Sequence, residues 1–269
     1  MNFHSDEWIM DRVREHYNEA LEHFPEDRIV GIVLQGSQNY GLDTYKSDID
    51  TKLILTPTFE DIAMNRQPIS TTYIRADNSH TDWKDIRLML KTFRSCNLNF
   101  LEILFAPYYI VNPLYAEEWN RLIQDNELIA SYNPRKAIET MRGLARRKYE
   151  QMEHESPSHH DDIEKYGYSP KEFHHLLRIE EYIERYTSGE SYADCLHTKK
   201  AAYLRSIKLE PLHLDAARLV AKKAMDYIDR MYDYFIAENN IEINKDVDNL
   251  LDDVQYNIMK IAIKKEIGD

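Results

Sequence analysis

Apolar residues recur at helical spacing between positions 7 and 24, where Trp8, Val13, Tyr17, Ala20, Leu21 and Phe24 mark one face and Pro25 ends the pattern. The period then changes. Residues 28–34 form an apolar, β-branched run that closes on Gly36–Ser37, and residues 49–55 form a second that closes on Thr56–Pro57. Both predict short strands, and residues 70–75 and 80–84 predict two more before a helix through Ile86, Leu90 and Phe93. From about residue 114 the spacing is helical almost throughout, over 114–130, 134–153, 170–187, 197–207, 213–237 and 246–265. Residues 154–169, rich in Ser, Pro, His and Asp and without apolar periodicity, predict a mobile loop. The whole pattern predicts an α+β fold: a small mixed sheet with flanking helices over residues 1–113, then an all-helical domain over 114–269.

Composition narrows the class. With 269 residues and 43% hydrophobic content the chain can bury one substantial core or two modest ones. Charges stand in the first residues and no apolar run reaches the roughly 20 residues of a membrane helix, so neither a secretory signal nor a membrane span is expected. Cys96 and Cys195 lie far apart without metal-ligand neighbours, which predicts reduced thiols and a cytoplasmic location. Acidic residues outnumber basic ones, 47 to 34, for a net charge of -13. An extensive nucleic-acid surface that works by counterion release is therefore not expected, whereas a single nucleotide or a tRNA end remains compatible.

The candidate chemistry lies between the first two strands, where Gly36–Ser37 is followed by Asp48-Ile49-Asp50. Alternation along a strand puts Asp48 and Asp50 on one face and Ile49 on the other. Two carboxylates in one small volume repel unless a cation intervenes, and hard oxygen donors suit Mg²⁺, or Mn²⁺, bridging to substrate phosphates. Gly36 lets backbone approach a phosphate, and Ser37 offers a hydroxyl or heads a short helix whose N–H groups face an anion. Ser-Asp-x-Asp also occurs in ordinary polar strand edges; the apolar strands on both sides favour the functional reading here.

This segment resembles the GS-x-DxD signature of the DNA polymerase beta superfamily of nucleotidyltransferases, and Tyr40-Gly41-Leu42 resembles a subgroup with a GS-x-x-YGL loop that includes phage members. Later segments are similar to that subgroup too: Asp82 to Arg87, Asn97 to Leu104, and Tyr166 to Lys171 with His174, His175 and Arg178. The resemblance implies a magnesium-dependent transfer of a nucleoside monophosphate from an NTP, ATP foremost, with release of pyrophosphate. It implies that Gly36, Ser37 and Tyr40 hold the nucleotide, that Asp48 and Asp50 bind metal, and that a third carboxylate joins them from a later strand. Asp82 is the preferred third carboxylate, catalytic and metal-binding with the other two; Asp85 competes but also suits the cap of the helix starting at Ile86.

In the helical half, Lys171, His174, His175 and Arg178 fall on one helix face, and Lys171, His175 and Arg178 are candidate nucleotide contacts. A solvated face is the competing explanation. It is favoured for the stripe of Arg135, Arg142 and Arg146, and a structural role is favoured for Glu102. His159-His160-Asp161-Asp162 invites comparison with metal phosphohydrolases, but that chemistry needs ligands spread over several rigid helices. Two functions compete: a nucleotidyltransferase whose acceptor is a protein, a tRNA end or a small molecule, and a non-catalytic nucleotide- or partner-binding module, such as a toxin–antitoxin or defence component, on the same fold.

Overall fold

The computed structural model describes residues 3–45, 47–157, 159–238 and 243–268. The chain divides into two compact units, one of Met1–Asn39, Asp43–Asn133 and Ile243–Asp269, the other of Tyr40–Leu42 and Pro134–Glu242.

In the first unit, helix α1 (Asp6–His23) starts at the Ser5 cap, whose side chain accepts the Trp8 N–H. Strands β1 (Ile29–Gln35) and β2 (Asp50–Leu55) follow, then the short helix α2 (Phe59–Ala63), β3 (Ser70–Ile74) and β4 (His80–Asp85). Helices α3 (Ile86–Arg94) and α4 (Leu98–Leu101), strand β5 (Tyr109–Val111), and helices α5 (Ala116–Gln124) and α6 (Asn126–Ala130) come next. Helix α13 (Lys245–Ile267) also belongs to this unit.

The strands form a mixed sheet in the order β3-β4-β2-β1-β5, in which β2 and β4 run parallel and the other neighbours antiparallel. Alternation gives the sheet two different faces. Ile32 and Leu34 of β1 and Leu53 and Leu55 of β2 join Ile9, Val13 and Ala20 of α1 in one buried cluster. Burial of such side chains contributes on the order of 1.5–3 kcal/mol each. The opposite face carries Asp50, Lys52 and Ile54 of β2, and α3 and α4 lie on that side, where Phe100 meets Lys52. Strand β5 comes so close to β1 that a Cβ at Gly31 would lie 2.8 Å from the Ile110 carbonyl oxygen. Glycine is required there by space.

The second unit is helical: α7 (Pro134–Gln151), α8 (His160–Tyr166), α9 (Pro170–Thr187), α10 (Tyr192–Leu196), α11 (Ala201–Leu209) and α12 (Leu214–Glu238). Helix α9 is its centre, packed against α7, α10, α11 and α12, and Phe173, Leu176, Leu177, Ile179, Tyr182 and Ile183 are its buried apolar side chains. The α+β architecture matches the sequence expectation. Three helical spans differ. The segment expected as a mobile loop contains α8, ended by Gly167 at φ 78; its polar composition hides the helical period. The single helix expected over 114–130 is two, α5 and α6, meeting at Asp125. The helix expected over 197–207 is α11, shifted to Ala201–Leu209 and preceded by the separate α10.

Candidate active site

Strand β1 leads into Gly36, whose φ of 104 turns the chain in a conformation that L side chains rarely adopt. A 3-10 turn, Ser37–Tyr40, follows. Asn39 Nδ2 donates to the Leu34 carbonyl at 2.9 Å and pins this turn to the end of the strand. The turn is also tied to the loop that carries Asp48: Gln38 Nε2 donates to the Asp48 carbonyl at 2.7 Å, and Ser37 Oγ lies 3.5 Å from Ser47 Oγ. Ser47 Oγ in turn accepts the Thr44 N–H at 2.9 Å. The Gly-Ser turn and the first aspartate, with ten residues between Ser37 and Asp48 in the chain, are thereby held side by side.

Strand β2 begins at Asp50, so the alternation expected to align both carboxylates covers Asp50 only; Asp48 and Ile49 belong to the preceding loop. Ile49 is nevertheless buried in the cluster under α1. Asp48 is exposed, and among the described residues no hydrogen bond or ion pair engages its carboxylate. Asp50 Oδ1 accepts the His80 N–H at 2.9 Å and lies 3.3 Å from His80 Nδ1.

Asp82 stands on β4 opposite Lys52 of β2, on the same face as Asp50. Its Oδ1 accepts from Thr72 Oγ1 at 2.6 Å, and its Oδ2 lies 3.3 Å from Lys52 Nζ. Burial raises the Asp82 carboxyl pKa, but the Lys52 ammonium and the Thr72 hydroxyl outweigh it and leave the group below the usual range. Lys52 is only 3% exposed. Burial pulls its ammonium below the ordinary lysine value against the opposing pull of Asp82 and Glu102. Asp85, the alternative third carboxylate, is committed elsewhere: it caps α3 by accepting the Arg87 N–H at 2.8 Å and pairs with the Arg87 guanidinium at 2.7 Å.

A family model described as "RlaP: RNA repair pathway DNA polymerase beta family" matches residues 12–204. The chain belongs to this RNA repair pathway DNA polymerase beta family. Membership carries a nucleotidyltransferase-type activity and binding of nucleoside triphosphates in general terms. No curated protein matches the chain. Among solved structures, a nucleotidyltransferase-like protein from Exiguobacterium sibiricum 255-15 is 9% identical, aligned over 84% of this chain and 75% of that chain at a TM-score of 0.30.

Among the described residues of this family member, no three or more His, Cys, Asp or Glu side chains converge into a metal cage. The pair Asp48 and Asp50 still fits Mg²⁺ by donor chemistry, because that ion takes one or two protein carboxylates and completes its shell with substrate oxygens and water. No helix of the described residues is long and apolar enough to cross a membrane.

The helical unit sorts its candidates by burial. Lys171 is exposed. His174 is buried, its Nδ1 2.7 Å from the Leu204 carbonyl, so it shares no solvated face with Lys171. Burial drives the His175 imidazole well below its ordinary value, and His174, Lys208, Lys148 and Arg178 push it further. Arg178 lies over the Tyr40 ring, 3.4 Å from its centroid. The arginine stripe is occupied within its own unit: Arg135 pairs with Glu139, and Arg142 and Arg146 both reach Asp229. His159 lies 3.5 Å from Glu172 and His160 3.0 Å from Glu155, so the two histidines point to different carboxylates.

Lys52 is the residue that sequence reasoning passes over. Its signal is a lysine two positions after Asp50 and directly before the apolar run Leu53–Leu55. Alternation alone places it beside Asp50.

Proposed function

We propose that the chain transfers a nucleoside monophosphate from ATP to an RNA end with release of pyrophosphate. The observation that carries the reading is the tie of the Gly36–Ser37 turn to the Asp48 loop through the 2.7 Å bond from Gln38. That tie holds the Gly-Ser turn beside Asp48, whose carboxylate has no hydrogen-bond or ion-pair partner among the described residues. The family's connection with RNA repair supports RNA as the acceptor class.

In the proposed reaction the acceptor hydroxyl oxygen bonds to the alpha-phosphorus, the bond to the bridging oxygen breaks, and pyrophosphate leaves with that electron pair. The hydroxyl proton passes to a carboxylate of the site. Mg²⁺, or Mn²⁺, held by Asp48 and Asp50 supplies charge neutralisation at the phosphates when bound. The Gly36 backbone lies close to the triphosphate, the Ser37 hydroxyl donates to it, and Tyr40 lines the loop. Lys171, His175 and Arg178 carry the further proposed nucleotide contacts. Cys96 and Cys195, buried and outside any disulfide, suit a reducing compartment, the cytoplasm.

The test is incubation with alpha-labelled NTPs and Mg²⁺ against RNA, protein and small-molecule pools. Label should enter RNA and be lost in Asp50→Asn, while His160→Ala keeps it. Label in protein or in small molecules would overturn the acceptor. Nucleotide binding without labelling or pyrophosphate release would favour the non-catalytic binding module.

A further inference from the structure

Resting on the reading above, we propose that Asp82 is the counter-ion of Lys52 and not a metal ligand, so that the metal centre has two protein carboxylates, Asp48 and Asp50, and is completed by substrate oxygens. Both oxygens of Asp82 are engaged: Oδ1 by the Thr72 hydroxyl at 2.6 Å, Oδ2 by the Lys52 ammonium at 3.3 Å, with Gln35 Nε2 at 3.5 Å. The ammonium is itself held in place. Lys52 is buried, its Nζ donates to Gln35 Oε1, and it lies over the Phe100 ring at 4.7 Å from the centroid.

A divalent cation on Asp82 Oδ2 would sit within a few ångströms of this fixed positive charge, in a setting that screens poorly. Swinging Asp82 away instead would strip a buried ammonium of its principal partner, a strongly unfavourable change. Asp48 and Asp50 stand differently. Asp48 is exposed with no carboxylate hydrogen-bond or ion-pair partner among the described residues, and Asp50 Oδ1 accepts the His80 N–H and lies 3.3 Å from His80 Nδ1. Lys52 is thus a positioning residue that fixes Asp82, and Asp82 in turn keeps the charge of the sheet face balanced beside Asp50.

The decisive comparison holds net charge constant. Asp82→Asn with Lys52→Met removes one negative and one positive charge, so a change in metal affinity reads ligation and not the local field. Replacing a buried ion pair by neutral side chains is often tolerated, and Asp82→Asn with Lys52→Gln keeps the same balance as a second variant. Binding of Mn²⁺ in the presence of a non-hydrolysable ATP analogue, followed by the paramagnetic resonance signal of free Mn²⁺, gives a readout independent of turnover. The double variants should bind Mn²⁺ within about threefold of the unmodified chain, whereas Asp48→Asn and Asp50→Asn should each weaken it by about tenfold or more. Weakening of both double variants to the level of Asp50→Asn would make Asp82 a ligand and overturn the inference. If Asp48→Asn and Asp50→Asn left Mn²⁺ binding unchanged, the metal centre of the proposed function would fall, and the inference with it.

Discussion

His16 lies between α1 and the sheet, with Nδ1 3.0 Å from Thr51 Oγ1 and 3.2 Å from Thr81 Oγ1, and Nε2 3.3 Å from Ser79 Oγ. Burial lowers its pKa to about 3, helped by Arg75 and Arg12 and opposed by Asp77. His174 is lowered to about 3 as well, first by burial and then by Lys208, against the Leu204 carbonyl bond. In the unfolded chain both protonate near pH 6.5. The unfolded state therefore binds more protons than the native state between about pH 6.5 and about pH 3, and stability falls as pH drops through that window, by at most about 1.4 kcal/mol per pH unit for each histidine. His16→Gln, which keeps a donor and an acceptor but does not titrate, should shrink the stability lost between about pH 7.5 and about pH 4.5 by up to about 2 kcal/mol. Urea unfolding at the two pH values checks it, and an undiminished loss in the variant would remove His16 as a cause. The same residue shows what sequence can and cannot give. Its place on α1 is legible from spacing, but its three hydroxyl partners come from residues 35 to 65 positions away. Lys52 is the parallel case at the site: alternation gives its face, and only strand pairing gives its partner.

At the scale of elements, the Gly-Ser loop ends in the helical unit's own contacts. Tyr40 is 7% exposed under Arg178, and Arg205 donates to the Gly41 carbonyl. A guanidinium stacked on a buried ring is worth about 1–2 kcal/mol once desolvated. A double-mutant cycle of Arg178→Gln and Tyr40→Leu on urea unfolding should return a coupling of that size. Arg178→Lys should lose most of it, because an ammonium cannot stack as a plane. Additive single effects would show that the contact contributes nothing. Strong periods made most elements legible: α7, α9, α12 and α13 lie within two residues of the spans read from spacing. Elements without a period were not. Strand β5 is three residues long and is defined by its pairing to β1 at Gly31, and α8 is almost wholly polar. The Asp48 loop likewise has no period of its own. It lies two residues before the start of β2, where Gln38 Nε2 donates to the Asp48 carbonyl and Ser47 Oγ accepts the Thr44 N–H in place of the ladder.

For the whole molecule the main consequence is the return of α13 to the first unit. Local periodicity reads it as one more helix after α12, since nothing within a helical window tells which core it will join. Its contacts decide the matter. Val247, Leu251, Val254, Ile258 and Ala262 are buried, and α13 packs on α3 and α5. Asp248 accepts from Arg94 Nε and from Tyr132 Oη, each at 3.0 Å, Asn257 Nδ2 donates to Glu118 at 2.9 Å, and Glu266 accepts the Phe59 N–H at 2.7 Å. Arg94 and Asp248 are 154 residues apart in the chain. A chain ending at residue 242 would uncover the apolar surfaces of α3 and α5 and leave Glu118 and Arg94 without these partners. Burial of such aliphatic side chains contributes about 1.5–3 kcal/mol each, and a domain has only about 5–15 kcal/mol of net stability. The truncated chain should therefore lose cooperative thermal unfolding of the first unit, or precipitate, even though the sheet and the Asp48–Asp50 segment are intact in sequence. Limited proteolysis should then cut within residues 86–130 before residues 134–238, and a separate peptide spanning 243–269 should restore protection when added. A truncated chain that unfolds at the temperature of the full chain, with residues 86–130 still protected, would show that α13 is dispensable to the sheet unit.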